Sequence, residues 1–204
     1  AGPRRPPPGL SLPALRDWLV DEIFRPAFRR RRVAEPAWQW ADRSALPVEG
    51  GGRFNSRRKP HCRRFLAAAH DPRIREQHIM KASRAGYTQA ALVRVAHKTL
   101  HDTGNVQFTV GSLEKSRDAN VTRLLPMLTR LGVIGRDDQD PDDANSRRIR
   151  LGHSSIRVVG GFTESAYKSD MVALCINDEC EAVNEIPNIG SPADGARSRI
   201  RGVD

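Results

Sequence analysis

"MKASRAGYTQAALVRVAHKTL", from Met80 to Leu100, decides how this chain is read. Its first half is short of bulk, with Ala82, Ser83, Ala85 and Gly86, and its second half carries Leu92, Val93, Ala96 and Leu100 at helical spacing. A loop of small residues that opens a helix lets backbone N–H groups and the positive end of the helix dipole close on a phosphate. The usual phosphate loop has lysine directly after its second glycine and before a hydroxyl residue. Here Tyr87 stands between Gly86 and Thr88, and the available cations are Lys81 at the loop's start and Arg84 in its middle. A loop wrapped around a phosphate turns its ends and its middle inward, so either cation reaches. Taken alone the signal is weak, because a strand-to-helix turn that binds nothing has the same composition.

The surrounding pattern gives the fold class. "QHIM" (77–80) reads as a short buried strand entering the loop, and 88–101 as the helix leaving it. "VQFTV" (106–110) is a strand. Ser112 is placed to cap a helix carrying Leu113, Val121, Leu124, Leu125, Leu128 and Leu131, kinked at Pro126 and stopped by Gly132. "RRIRL" and "SIRVV", joined through Gly152-His153-Ser154, predict a hairpin. "MVALCI" (171–176) is an uninterrupted apolar run, as in a parallel sheet covered on both faces. Strand, helix, strand, helix, hairpin, strand is an α/β order.

That last strand runs into Asp178 and Glu179. Phosphoryl transfer to water needs a carboxylate on the metal and a group orienting the attacking water. Both belong at the carboxyl edge of a strand beside the phosphate loop. Asp178 is the candidate metal carboxylate and Glu179 the candidate base; the bland alternative is a strand end entering a polar turn. A phosphate loop followed by such a carboxylate pair is far rarer than either feature alone.

Before residue 77 the chain is different in kind. Residues 1–75 hold 17 Lys/Arg against 7 Asp/Glu, whereas the remainder is balanced, so the formal charge of +10 sits in the first third. Such a head suits an acidic polymer as partner, or is simply a solvated tail. "AGPRRPPPG" (1–9) is expected to be unstructured. "LPALRDWLVDEIF" and "PAWQWADRSAL" read as short helices, "RRRR" (29–32) as a charge run, and "EGGGRFNSRRKP" as a loop. "HCRRFLAAAH" reads as a helix ending before Asp71-Pro72.

Other features weigh towards bland readings. Cys62, Cys175 and Cys180 form no CxxC pair, which fits a reducing compartment and argues against structural zinc. His97 and His101 have zinc-like spacing, but a solvated helix face is the default. The acidic loop 136–145 lacks the glycine and glutamate of a calcium loop. Trp38 and Trp40 are read as packing residues rather than as walls of a base pocket. No apolar run approaches the roughly 18 residues of a membrane span.

With both motifs placed, the sequence resembles the ATPase domain of the large terminase subunit of lambda-like tailed phages, the motor that packages DNA into proheads. Members of that family carry a deviant phosphate loop in which lysine opens the loop, arginine lies within it and tyrosine precedes the hydroxyl residue. "KASRAGYT" matches this at Lys81, Arg84, Gly86, Tyr87 and Thr88. "AWQWADRSALPVEGGGRF", "KPHCRRFLAAAHDPRI", "RLLPML", "IRVVGGFTESAYKSDMVALCINDE" and "GSPADGARSRI" are similar to further family segments in the same order, over about residues 37–204. His61 replaces a family tyrosine.

The resemblance implies a P-loop NTPase-type α/β fold, with a mostly parallel sheet flanked by helices. Residues 1–36 would be a basic, partly disordered extension, 37–76 a lead-in segment packed on the core, and 77–204 an incomplete ATPase core. ATP would be held by Lys81, Ala82, Ser83, Arg84, Ala85, Gly86, Tyr87 and Thr88, and Mg²⁺ by Thr88 and, through water, by Asp178. Lys81, Arg84 and Glu179 would be catalytic. Implied partners are double-stranded DNA, the small terminase subunit, the portal and prohead, and further copies of the chain in the motor, all in the host cell cytoplasm and without a membrane. The family's coupling motif and nuclease domain are expected beyond Asp204. Alternative readings are another P-loop ATPase of helicase type, or an inactive DNA-binding prophage remnant.

Overall fold

The computed structural model describes residues 11, 14, 15, 18, 35–71, 73–102, 104–134, 144–145, 148–151, 154–168, 171–180 and 185–200. They fall into two units, 1–32 and 33–204. In the first, residues 14, 15 and 18 are helical; the rest of that expected helix, the proline-rich head and the arginine run lie outside the described residues.

The second unit begins with α1 (Ala37–Ser44), which buries Ala37, Trp40 and Ala41 and ends where Ala45 turns left-handed at φ 49°. The glycine-rich stretch, expected as plain loop, contains a small hairpin. β1 (Pro47–Val48) pairs antiparallel with β2 (Gly52–Arg53), and Gly50 and Gly51 supply the positive φ angles that its turn requires. α2 (Pro60–Ala68) starts on a proline and buries Cys62 and Leu66.

α3 (Tyr87–His101) is buried at Leu92, Val93 and Ala96, with Leu100 at its margin. β3 (Val106–Val110) is buried at every position. Ser112 caps α4 (Leu113–Asp118) by accepting a hydrogen bond from the Lys115 amide at 3.2 Å. α4 runs through a π-helical stretch, Ala119–Leu124, into α5 (Leu125–Arg130). The expected kink at Pro126 thus appears as a change of helical register just before it, since proline offers no amide to the preceding turn. Leu113 and Val121 face outward at 40% and 56% exposure. Gly132 ends the helix at φ 66°, and the Val133 amide reaches back to the Leu128 carbonyl at 3.1 Å.

A five-stranded sheet follows, built from β4 (Ala144–Asn145), β5 (Arg148–Leu151), β6 (Ser154–Gly160), β3 and β7 (Leu174–Asn177), side by side in that order. β3 runs parallel to both β6 and β7, while β5 runs antiparallel to its two neighbours, β4 and β6. The hairpin is as read, in the register Ile149↔Ile156. β4 comes from the end of the acidic stretch, otherwise outside the described residues. Short helix α6 (Glu164–Tyr167) leads to β7, and α7 (Pro192–Ile200) follows it. Leu92, Phe108, Leu124, Leu128, Ile149 and Ile156 share one core with Trp40, Leu46 and Leu66 of the leading segment.

Two expectations need correction. Residues 77–80 form no strand: Ile79 is 39% exposed and Met80 wholly so. The stretch pairs with no strand of the sheet and its side chains at 78–80 are exposed, so neither a ladder nor burial holds it extended. β7 itself is half-buried along its length, because it is an edge strand.

Candidate active site

The carboxyl ends of β3, β6 and β7 point the same way, and in an open parallel sheet ligands gather outside that edge. The Asp178 amide bonds the Thr109 carbonyl at 2.8 Å, extending the β3–β7 ladder one residue past the strand. Asp178 is 8% exposed. Asn177, just before it, is braced on both sides: its side-chain carbonyl accepts from the Tyr167 hydroxyl at 2.9 Å, and its amide donates to the Pro192 carbonyl at 2.7 Å. Burial holds the Tyr167 phenol protonated well above its ordinary range, as a donor must be.

Facing Asp178 is the small-residue loop 81–86, which opens α3. Its turn is left-handed at Arg84 (φ 58°) and again at Gly86 (φ 92°), and Gly86 is the N-cap residue. With no side chain capping it, the first turn of α3 leaves N–H groups for another acceptor. The Lys81 ammonium is ion-paired with Asp178 Oδ1. Thr88 Oγ1 donates to Asp178 Oδ2 at 2.6 Å, and Lys81 Nζ lies 3.4 Å from the same hydroxyl. One ammonium, one hydroxyl and one carboxylate, taken from both motifs, therefore meet at a single point.

Glu179 stands beside this group without joining it. It adopts a left-handed backbone, φ 60°, which a non-glycine residue rarely does and which is common where side chains are held for function. Its Oε2 accepts from Lys115 Nζ of α4 at 2.6 Å and lies 3.7 Å from where a β-carbon on Gly111 would be. The carboxylate is thus turned over the end of β3. Arg84 is exposed, and among the described residues it is joined neither to Asp178 nor to Glu179. Ala82 and Ser83 are exposed on the loop's outer turn.

α2 closes the loop from the other side. His61 Nε2 lies 2.9 Å from the Ala85 carbonyl, and the His61 and Tyr87 rings are 5.2 Å apart. An open groove of about 530 Å³ runs along this flank, lined by His61, Phe65, Gln77 and Tyr87 among others. Trp40 is not part of it: its ring packs edge-on against His97 and His101. His97, read as solvated, is in fact 2% exposed. Burial, with His101, Arg94 and His70 nearby, lowers its pKa to about 3. Among the described residues no group of three or more His, Cys, Asp or Glu side chains is placed to hold a metal ion.

The geometry agrees with a comparison against protein families. A family model for the ATPase domain of phage terminase large subunit gpA matches residues 49–203. The chain belongs to this family. It is accordingly an ATPase domain of the viral packaging type, and its working ligand is a nucleotide. Searches of curated proteins and of solved structures find no match to it. Among the described residues no helix of this terminase domain is long and apolar enough to cross a membrane.

Sequence reasoning missed three residues that brace this candidate site. Lys115, which holds Glu179, is one of 34 Lys/Arg, and nothing in its neighbourhood sets it apart. Asn177 was hidden inside a strand end. Arg197 forks onto Glu76 at 2.8 and 3.0 Å, tying α7 to the segment before the loop; only folding brings that pair together.

Proposed function

We propose that the chain binds ATP across the 81–88 loop and hydrolyses it to move duplex DNA into a prohead. The observation that carries this reading is the meeting of Lys81, Thr88 and Asp178 at the loop's mouth. The lead-in segment 37–76 would brace a core formed by 77–204, with the basic head 1–36 near the DNA.

The residues fit a magnesium ion. Thr88 Oγ1 and Asp178 Oδ2 are hard oxygen donors brought together by a 2.6 Å hydrogen bond, and would hold the ion, Thr88 directly and Asp178 through water. When bound, Mg²⁺ would neutralise charge on the β- and γ-phosphate oxygens. The arriving phosphates would draw Lys81 away from Asp178, leaving the carboxylate free. Loop amides from Ala82 to Tyr87, at the N-terminus of α3, would cradle the phosphate oxygens. Glu179 would orient the attacking water and accept its proton, with Lys115 setting the angle of the carboxylate. Arg84, exposed on the loop, would swing onto the γ-phosphate as charge develops there. The groove between His61 and Tyr87 would take the base.

ATP binding and turnover by Lys81→Ala test this reading. Loss of both is expected; turnover at the wild-type rate contradicts it.

A further inference from the structure

Lys59 is the N-cap residue of α2, and its backbone is fixed on every side. Its amide bonds the Ser56 carbonyl at 3.2 Å, its own carbonyl accepts from the Cys62 and Arg63 amides at 3.0 and 3.2 Å, and Pro60 follows. Ser56 is in turn held by Asp42, through amide and hydroxyl bonds of 2.8 and 2.6 Å. From this fixed base the Lys59 side chain lies across the phosphate loop. A β-carbon placed on Gly86 would meet its ammonium and stand 2.9 Å from Cδ and 3.2 Å from Cε. Gly86 is required for its φ of 92°, and its bare face is where the lysine lies.

The position is electrostatically odd. Gly86 caps the 15-residue α3, so Lys59 puts a positive charge at the positive end of a helix dipole, where cations are disfavoured. Among the described residues it makes no ion pair that would offset this. It is also a poor packing device, being exposed. An ammonium held against bare helix amides makes sense once an anion lies between them.

We propose that Lys59 is a second phosphate-contacting cation of the nucleotide site, supplied by the leading segment rather than by the loop. It grips the polyphosphate from where the loop meets α3, at Gly86. Because Lys59 and His61 both touch the loop from the first turn of α2, phosphate binding also tightens that segment onto the core. This inference rests on the nucleotide reading above.

The test is equilibrium binding of ATP, ADP and adenosine, with magnesium, to wild type, Lys59→Met and Lys59→Arg. Methionine keeps the stem that covers Gly86 and removes the charge; arginine keeps the charge. Lys59→Met is expected to weaken ATP and ADP about ten- to hundredfold while adenosine binding and the melting temperature stay unchanged. Lys59→Arg is expected to recover most of the loss. Wild-type affinity for ATP in Lys59→Met overturns the inference, as does an equal loss for adenosine, which would mark a packing role. A wild type that binds no ATP overturns the nucleotide reading itself, and this inference with it. Should Lys59→Met melt early, Lys59→Gln read in the same three titrations decides the matter in the same way.

Discussion

Lys81 and Asp178, 97 positions apart, form an ion pair whose side chains are 22% and 10% exposed. Each group is what the other would face in a loaded site: a cation in place of a metal, a carboxylate in place of a phosphate. The pair keeps two charges in position that would otherwise be costly to hold in a half-buried cleft. On the proposed function, binding MgATP would be an exchange of partners rather than the creation of a site.

Asp178→Asn preserves shape and removes the charge. It is expected to lower magnesium-dependent ATP hydrolysis by at least about a hundredfold. It should also cost about 1–3 kcal/mol of stability, since Lys81 loses its counter-charge in a half-buried place. Turnover titrated with Mg²⁺ and thermal melts read the two effects separately.

Glu179→Gln is expected to abolish hydrolysis while ATP still binds, because Glu179 lies outside the Lys81–Thr88–Asp178 group. Lys115→Met removes the cation that holds Glu179 in place. It should reduce kcat by a smaller factor than Glu179→Gln, with little change in KM. Stopped-flow binding beside steady-state turnover distinguishes the two.

Gly160, at the end of β6, is where the sheet touches the start of α4. A β-carbon there would run into the backbone of Leu113 and stand 2.6 Å from the Ser112 carbonyl carbon. Backbone cannot step aside as a side-chain tip can. Gly160→Ala should therefore cost about 1–3 kcal/mol and disturb Ser112–Lys115, hence Glu179. A melting temperature equal to that of wild type would show that α4 is free to shift.

Much of the fold was legible because its signals are local. The periodicity of α3, the Ser112 cap, the Gly132 stop and the alternation of β5 and β6 each need only a dozen residues to see. The two halves of the candidate site were legible for a related reason: a small-residue loop opening a helix and an acidic pair closing a strand are both short motifs. What escaped was long-range. Residues 77–80 looked apolar enough for a strand, but a strand also needs a neighbour, and none is beside it. His97 looked solvated because zinc-like spacing says nothing of what covers a helix; α1 does, with Trp40 on its ring and the Glu35 carbonyl 3.3 Å from its Nε2. Lys59 and Lys115 became visible only once α2 and α4 were placed.

His97 also sets a pH dependence. Its pKa falls from 6.5 unfolded to about 3 folded, because burial disfavours the charged ring and His101, Arg94 and His70 add to the effect. The unfolded chain therefore takes up a proton that the folded chain refuses. Stability from this group is complete above about pH 6.5 and is lost as pH falls towards 3. Thermal melts from pH 7.5 to 4.5 should show a decline that His97→Gln flattens, even if that variant starts less stable.

The central claim is that the pair at positions 81 and 178 opens to take a triphosphate. A crystal structure with Mg²⁺ and a non-hydrolysable ATP analogue tests it most directly. The account predicts Lys81 on phosphate oxygens, metal between Thr88 and Asp178, and the analogue's phosphates along 82–87. An intact Lys81–Asp178 contact, with the analogue absent or bound elsewhere, would contradict it.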